Sequence, residues 1–338
     1  MNPLWREFLA SRGARPGSSG NAGLVDFPDP PGPGQRSGIV DLSCLSAVEI
    51  TGADAGTFLH GQFTCDVAAL GDGRMQVGAW CNAKGRVMAV FMLLHSEERY
   101  LLLLPREQRT AFARRLQMYV LRADVRISDC DDECVLFGVI AGEGYELPRP
   151  GDLGVPAPWQ VATWDGMIFA RFPDTEAGRR MLVCGELAPM QLLWSRLEGK
   201  FVPVTSTHWQ LHDIHTGIPW LTPALSEEFL PQELGLEALD GLSLAKGCYP
   251  GQEIIARVHY RGRPKRTLWH FTVEADAPPA PATPLYTGAE GTRSAGTVIA
   301  AQTVTGTEQA GLAVCAAEAA AQGELRLVAP DGPRIALG

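Results

Sequence analysis

The chain has 338 residues, of which 46% are hydrophobic and 20% charged, the composition of a globular protein, and this excludes disorder, collagen and coiled coil as descriptions of the whole. At about 150 residues per domain, the length asks for two domains or three small ones. Lys and Arg number 29 against 38 Asp and Glu, a net charge of -9, so no global positive field draws the chain to nucleic acid or anionic lipid.

Taken in chain order, residues 1–37 read as a Gly/Pro-rich leader: a short helical-looking segment over 3–10, then a stretch dominated by Gly, Pro, Ser and Arg that includes Pro28-Asp29-Pro30-Pro31-Gly32-Pro33-Gly34. Such a composition buries little apolar surface, and the leader is expected to be flexible. It lacks the uninterrupted apolar core of a secretory signal, and no later apolar run reaches the roughly 18 to 20 residues of a bilayer span, so a cytoplasmic protein with no membrane partner is expected. Order is expected from Gly38, with strands over 39–42 and 47–50, then Gly52-Ala53-Asp54 capping a short helix through Leu59. Strands over 78–81 and 86–94 form a hairpin around Asn82-Ala83-Lys84-Gly85, and 99–104 continues the sheet. Pro105 opens an amphipathic helix through Leu121. Strands follow near 124–128, 134–140, 164–171 and 181–184, then helices over 188–197 and 206–216. This mixture lacks strict strand–helix alternation, which favours an α+β fold over a doubly wound sheet. From residue 266 the pattern becomes short strands separated by Gly, Pro and Ala, and the expectation is a small C-terminal β-barrel over 266–338, with 38–265 forming two α+β subdomains, possibly interleaved.

Chemistry-bearing motifs are few. No Walker A run and no G-x-G-x-x-G between a strand and a helix is present, so nothing supports a nucleotide site. The eight cysteines are scattered, mostly in apolar stretches, and read as reduced residues without a disulfide framework. Cys130 and Cys134 have a spacing that could hold a metal, but no second pair completes a site. His208, His212 and His215 share one helical stripe, yet the outer two would stand about 10 Å apart along the axis, too far for one ion. No metal site is expected.

The informative stretch is Lys246-Gly247-Cys248-Tyr249-Pro250-Gly251-Gln252-Glu253. Gly247, Pro250 and Gly251 impose a tight non-helical loop, Lys246 beside Cys248 favours thiolate over thiol, and Gln252 and Glu253 add amide and carboxylate recognition. Downstream, Arg257, Arg261, Arg263, Lys265 and Arg266 form the one local reversal of the acidic balance. They could grip carboxylates through paired donors, or RNA phosphate, though few aromatics interleave with them.

The octapeptide resembles the K-G-C-Y-x-G-Q-E signature of the YgfZ family of folate-binding proteins, relatives of the glycine cleavage T-protein. Ile50-Thr51-Gly52-Ala53-Asp54, Gly61-Gln62-Phe63-Thr64, Asn82-Ala83-Lys84-Gly85, Phe229-Leu230-Pro231-Gln232-Glu233, Gly241-Leu242-Ser243, Ile254-Ile255-Ala256-Arg257 and the 261–266 run resemble that family as well. The resemblance, over about residues 38 to 338, implies a T-protein-like three-domain ring around a central folate channel, with a C-terminal barrel. It implies tetrahydrofolate or a one-carbon derivative as cofactor, bound through Trp209, His215, Tyr249, Gln252, Glu253 and Arg257. Cys248, with Lys246, would be the reactive centre. It further implies a role in assembly or repair of iron–sulfur clusters in client enzymes, affecting tRNA modification indirectly, with cluster-bearing or assembly proteins as partners and no direct nucleic acid contact. Two departures bear on activity. Where the T-protein has an aspartate that polarises the folate nitrogen, this chain has Val87-Met88-Ala89-Val90, so Ala89 and Val90 supply no carboxylate and aminomethyl transfer by that route is not expected. Where relatives place a glutamate on the pterin, this chain reads Ile214-His215-Thr216-Gly217. The alternatives are a one-carbon aminomethyltransferase or demethylase and an RNA-binding protein.

Overall fold

The structure, a computed structural model, describes residues 1–17, 25–28, 37–130, 133–262, 264–287 and 294–338. The chain divides into two compact units, each made of discontinuous segments. The first comprises Met1–Phe58, Ala69–Gln76 and Met92–Trp209, the second Leu59–Ala68, Val77–Phe91 and Gln210–Gly338.

The first unit holds a six-stranded sheet in the order Val161–Trp164, Met167–Arg171, Arg179–Gly185, Val135–Ala141, Gly38–Asp41 and Val202–Val204. All pairs are antiparallel except the last. Val135–Ala141 is buried along its whole length, as an almost continuous apolar run requires of a central strand. The helices Pro3–Ser11 and Leu187–Leu197 contribute Trp5, Leu9, Met190 and Trp194 to the same core.

The helix Pro3–Ser11 modifies the expectation of a flexible leader. Asn2 caps it, its side chain accepting from Leu4 N at 3.0 Å and Trp5 N at 3.2 Å. Trp5 and Leu9 are buried, Phe27 stacks on Trp194 at 5.8 Å, and Asp26 accepts from Ser206 N and Oγ at 2.9 and 2.7 Å. Few but large apolar groups are enough to order these segments against the sheet, whatever the average composition. Residues 18–24 and 29–36 lie outside the described residues.

A second sheet has the order Arg74–Cys81, Val87–Ser96, Arg99–Pro105, Leu45–Thr51 and Arg126–Asp129. Its first two strands carry the chain between the units. The helix Arg106–Gln117 buries Phe112 and Leu116 as expected, but ends before Leu121. Asp54 stands at the start of the helix Ala55–Gln62, its carbonyl accepting from Phe58 N at 2.8 Å and its carboxylate from Asp124 N at 2.8 Å, while Gly52, at φ +115°, leaves no room for a Cβ beside Asp124 O.

In the second unit a six-stranded sheet runs in the order Leu325–Leu327, Pro284–Thr287, Ser294–Thr305, Glu308–Ala316, Arg266–Glu274 and Ala336–Leu337. It closes on itself. Leu327 N donates to Pro333 O and Ile335 N to Leu325 O, both at 2.9 Å, and the same terminal segment continues into Ala336 and Leu337, which pair with Thr272 and Phe271. The expected C-terminal barrel therefore has its seam at residues 333–337. Phe271, Leu285, Val298 and Leu325 fill it.

Candidate functional site

The segments of the second unit that carry the family resemblance converge on the cysteine loop. The hairpin turn is set by Asn82, whose Oδ1 accepts from Lys84 N at 2.9 Å and Arg86 N at 3.1 Å, with Gly85 at φ +72°. Gly251, at φ +81°, lies directly against this turn: a Cβ on it would fall 2.4 Å from Gly85 Cα and 2.6 Å from Asn82 O. Only glycine meets both demands. Thr64 ties in the other side, donating to Gly241 O at 2.6 Å while its carbonyl accepts from Ser243 N at 2.8 Å.

Cys248 is exposed at the crest of this loop. Its neighbours hold the loop and are not free to engage a ligand. Lys246 is buried, with Nζ bonded to His60 O and, at 2.6 Å, to Phe63 O, the open carbonyls at the end of the helix Ala55–Gln62. Its ammonium also stands 4.8 Å from the centre of the Tyr249 ring. Burial brings its pKa down to about 8, opposed by the nearby Cys65 and Asp66. The expectation that Lys246 activates Cys248 thus meets a lysine already committed to backbone carbonyls.

Tyr249 is buried as well, its OH donating to Ser243 O at 3.5 Å, and burial pushes its phenol up. Gln252 Nε2 donates to Lys246 O at 3.2 Å, closing the loop on itself. Gln252 and Glu253 are not part of a non-helical stretch: they open the helix Gln252–Arg261, which buries Ile255. Pro250-Gly251 masks that start, because the left-handed Gly251 serves as the helix cap.

The basic cluster is largely spoken for. Arg257 pairs with Glu253 at 3.0 Å one turn away, both exposed, and His259 faces Glu237 at 3.1 Å. Arg266 makes a two-pronged pair with the buried Glu233, 3.1 Å on each arm, and Arg86 adds a third contact at 3.3 Å. Arg261 and Lys265 are exposed; Arg263 lies outside the described residues. Glu233 is the structural centre that sequence reading missed; the signal was a carboxylate in the otherwise apolar and turn-rich Phe229–Glu233 stretch.

In the first unit, Trp209 is fully buried. Arg180, itself buried, stands 4.7 Å over its ring and bonds Trp209 O at 3.3 Å, and Phe172 meets the ring edge-on at 5.2 Å. Gly138 makes the fit possible, since a Cβ there would come within 2.5 Å of Trp209 Cε3. The indole Nε1 is buried with no hydrogen-bond partner. A pterin carries carbonyl and ring-nitrogen acceptors that suit such a donor, so Trp209 fits a folate by its polar edge and not as an open stacking face. His215 is exposed in the last turn of the helix Thr207–Thr216, whereas His212 is buried. Among the described residues no group of three or more His, Cys, Asp or Glu is arranged to hold a metal ion, and no helix is long and apolar enough to cross a membrane. Ala89 and Val90 are buried and place no carboxylate in the strand Val87–Ser96.

The fold has known counterparts. Over 99% of this chain and 95% of the other, it superposes on the crystal structure of glycine cleavage system aminomethyltransferase T from Bartonella henselae, with a TM-score of 0.74 and 14% identity. Residues 34–142 match the GCVT N-terminal domain. Fold and domain define a protein of the aminomethyltransferase class of architecture. Within that class, tRNA-modifying protein YgfZ of Sodalis glossinidius (strain morsitans) is 32% identical over 265 residues, 78% of this chain and 80% of that one. The protein of the same name from Colwellia psychrerythraea is 30% identical over 241 residues, 71% and 73% of the two chains. The chain belongs to the YgfZ family.

Proposed function

We propose that this protein binds tetrahydrofolate or a one-carbon derivative and supports assembly or repair of iron–sulfur clusters in client enzymes, through which it affects tRNA modification. The observation that carries the reading is the exposed Cys248 on a loop whose other polar groups are bonded internally. The thiol is left as the group a partner can reach. One cysteine cannot complete the four-thiolate ligation of a cluster, so the cluster is cargo, and the remaining ligands come from the client or an assembly protein. Trp209 Nε1 would donate to the pterin, with Arg180 holding the indole in place.

Aminomethyl transfer is not part of this reading, because the strand Val87–Ser96 offers no carboxylate at Ala89 or Val90 to polarise a folate nitrogen. Direct RNA binding is disfavoured by the pairing of Arg257 and Arg266 with carboxylates. The test has two arms. Complementation of a strain lacking the gene is expected from the wild type and not from Cys248→Ala; full rescue by the variant removes the thiol role. Calorimetric titration with tetrahydrofolate is expected to saturate, and to weaken in Trp209→Phe, which keeps a ring but loses the N–H; absence of binding to the wild type removes the folate.

A further inference from the structure

Cys130, Cys134 and Cys184 lie in three separate stretches of the first unit. Cys130 follows the strand Arg126–Asp129, Cys134 precedes Val135–Ala141, and Cys184 belongs to Arg179–Gly185. Two backbone observations bring these residues together. Cys134 N donates to Cys130 O at 2.7 Å. A backbone bond from a residue to the one four before it holds their Cα atoms about 6 Å apart, inside the range a disulfide spans. The sheet register pairs Cys184 with Leu136, two residues beyond Cys134, so Cys184 belongs to the strand beside the start of Val135–Ala141. Cys130 Sγ donates to Ser128 O at 3.8 Å, and the thiols of Cys130 and Cys184 lie close enough to that of Cys134 to shift its titration. Cys134 is the shared member, and it is half-buried while the other two are buried.

We infer that Cys130 and Cys134 form a reversible dithiol–disulfide pair, whose oxidation the neighbouring Cys184 thiol slows. The oxidant is a hydroperoxide. Cys134, the most accessible of the three, loses its proton to solvent, and its sulfur attacks the outer oxygen and breaks the O–O bond. The products are a sulfenic acid and an alkoxide or hydroxide, which takes up the released proton. The Cys130 sulfur then attacks the Cys134 sulfur. The S–S bond forms, the S–O bond breaks, and the departing hydroxide leaves as water with the Cys130 proton. In sum, two thiols and one hydroperoxide give one disulfide, one water and one alcohol, or two waters when hydrogen peroxide is the oxidant.

The environment sets the pace of this reaction. The neighbouring Cys134 thiol, and then burial, hold Cys130 in the S–H form. For Cys134 the Cys130 thiol pulls the pKa down, but the Cys184 thiol, burial and the Cys184 and Glu49 charges push it up by more. The pair is therefore slow, since the thiolate is the nucleophile. It oxidises at an oxidant load at which the exposed Cys248 has already reacted.

The test uses the full chain carrying Cys248→Ser, so that the exposed thiol cannot form intermolecular bonds. It is titrated with hydrogen peroxide, denatured, alkylated and digested with trypsin. The peptide carrying both Cys130 and Cys134 is expected to lose about 2 Da and take up no alkyl group, and to regain two alkylation sites after reduction. Adding Cys134→Ser is expected to leave Cys130 fully alkylatable at the same load. Adding Cys184→Ala, which leaves the pair intact and removes a neighbour that holds the Cys134 pKa up, is expected to speed formation of the bond. Three outcomes overturn the inference: both thiols stay alkylatable at every load, Cys134 gains oxygen atoms without a disulfide, or Cys134 is found joined to Cys184 in the otherwise unaltered triad.

Discussion

In the first unit Trp209 lies wholly inside, with Arg180 over its ring, Phe172 edge-on and Gly138 against it. In the second, Cys248 stands exposed while Lys246, Tyr249, Gly251 and Gln252 around it are buried or bonded. The same family resemblance singles out both residues, yet one is held by side-chain packing and the other by backbone and polar constraint. A reactive group can be left open to solvent only if its surroundings are fixed by something other than its own contacts. The cysteine loop achieves this with glycine geometry and a buried lysine; the tryptophan is itself part of the packing.

That contrast can be broken at its strong side first. Trp209→Ala is expected to cost about 3 to 5 kcal/mol, the usual range for emptying an aromatic core position, read as a lower midpoint in urea unfolding. A cost under about 1 kcal/mol would mean the ring is not a packing element. A buried acid of the first unit comes next. Asp41 accepts from Trp5 Nε1 at 2.9 Å and Ser43 Oγ at 2.8 Å, yet burial raises its pKa from 3.8 to about 6. The folded chain therefore holds a proton there that the unfolded chain has already lost. Stability from this group is complete below about pH 4 and is lost as the pH rises through 6, by about 2 to 3 kcal/mol at about 1.4 kcal/mol per unit. Asp41→Asn should remove that part of the slope in unfolding measured from pH 4 to 7; parallel curves for variant and wild type would exclude Asp41 as its source.

On the loop side, Gly251→Ala is expected to cost at least about 2 kcal/mol, since a left-handed backbone and an overlap with Gly85 act together. The smallest effect sharpens the comparison most. Cys248→Ala should leave stability within about 0.5 kcal/mol of wild type, as for an exposed residue outside any network. A larger loss would show that the thiol carries structure after all.

The parts of the fold legible in sequence are those governed by local rules. The Asn82–Gly85 turn, the helices near 188–197 and 207–216 and the barrel strands follow from turn chemistry and apolar periodicity, and the structure places them there. The crest of the cysteine loop was legible for the same reason, because glycines dictate it. What escaped reading depends on partners distant in sequence. Lys246 was assigned to the adjacent Cys248, but its acceptors are at positions 60 and 63. Glu233 gains its meaning from Arg86 and Arg266. Trp5 and Phe27 become core residues only when the sheet of the first unit exists to receive them, which is why a local average read the leader as flexible. Cys134 and Cys184 are 50 positions apart and meet only through strand register.

The interleaving of the two units has a consequence for synthesis. The first unit is complete in sequence once Trp209 has left the ribosome, but Leu59–Ala68 and Val77–Phe91 belong with a unit whose remaining segment begins at Gln210. At ordinary rates of translation, the gap between residue 91 and residue 210 lasts on the order of ten seconds. During that interval the apolar run at the start of the strand Val87–Ser96 has none of its Gln210–Gly338 partners. A ribosomal pause placed before residue 210 would lengthen the time this apolar run spends without those partners.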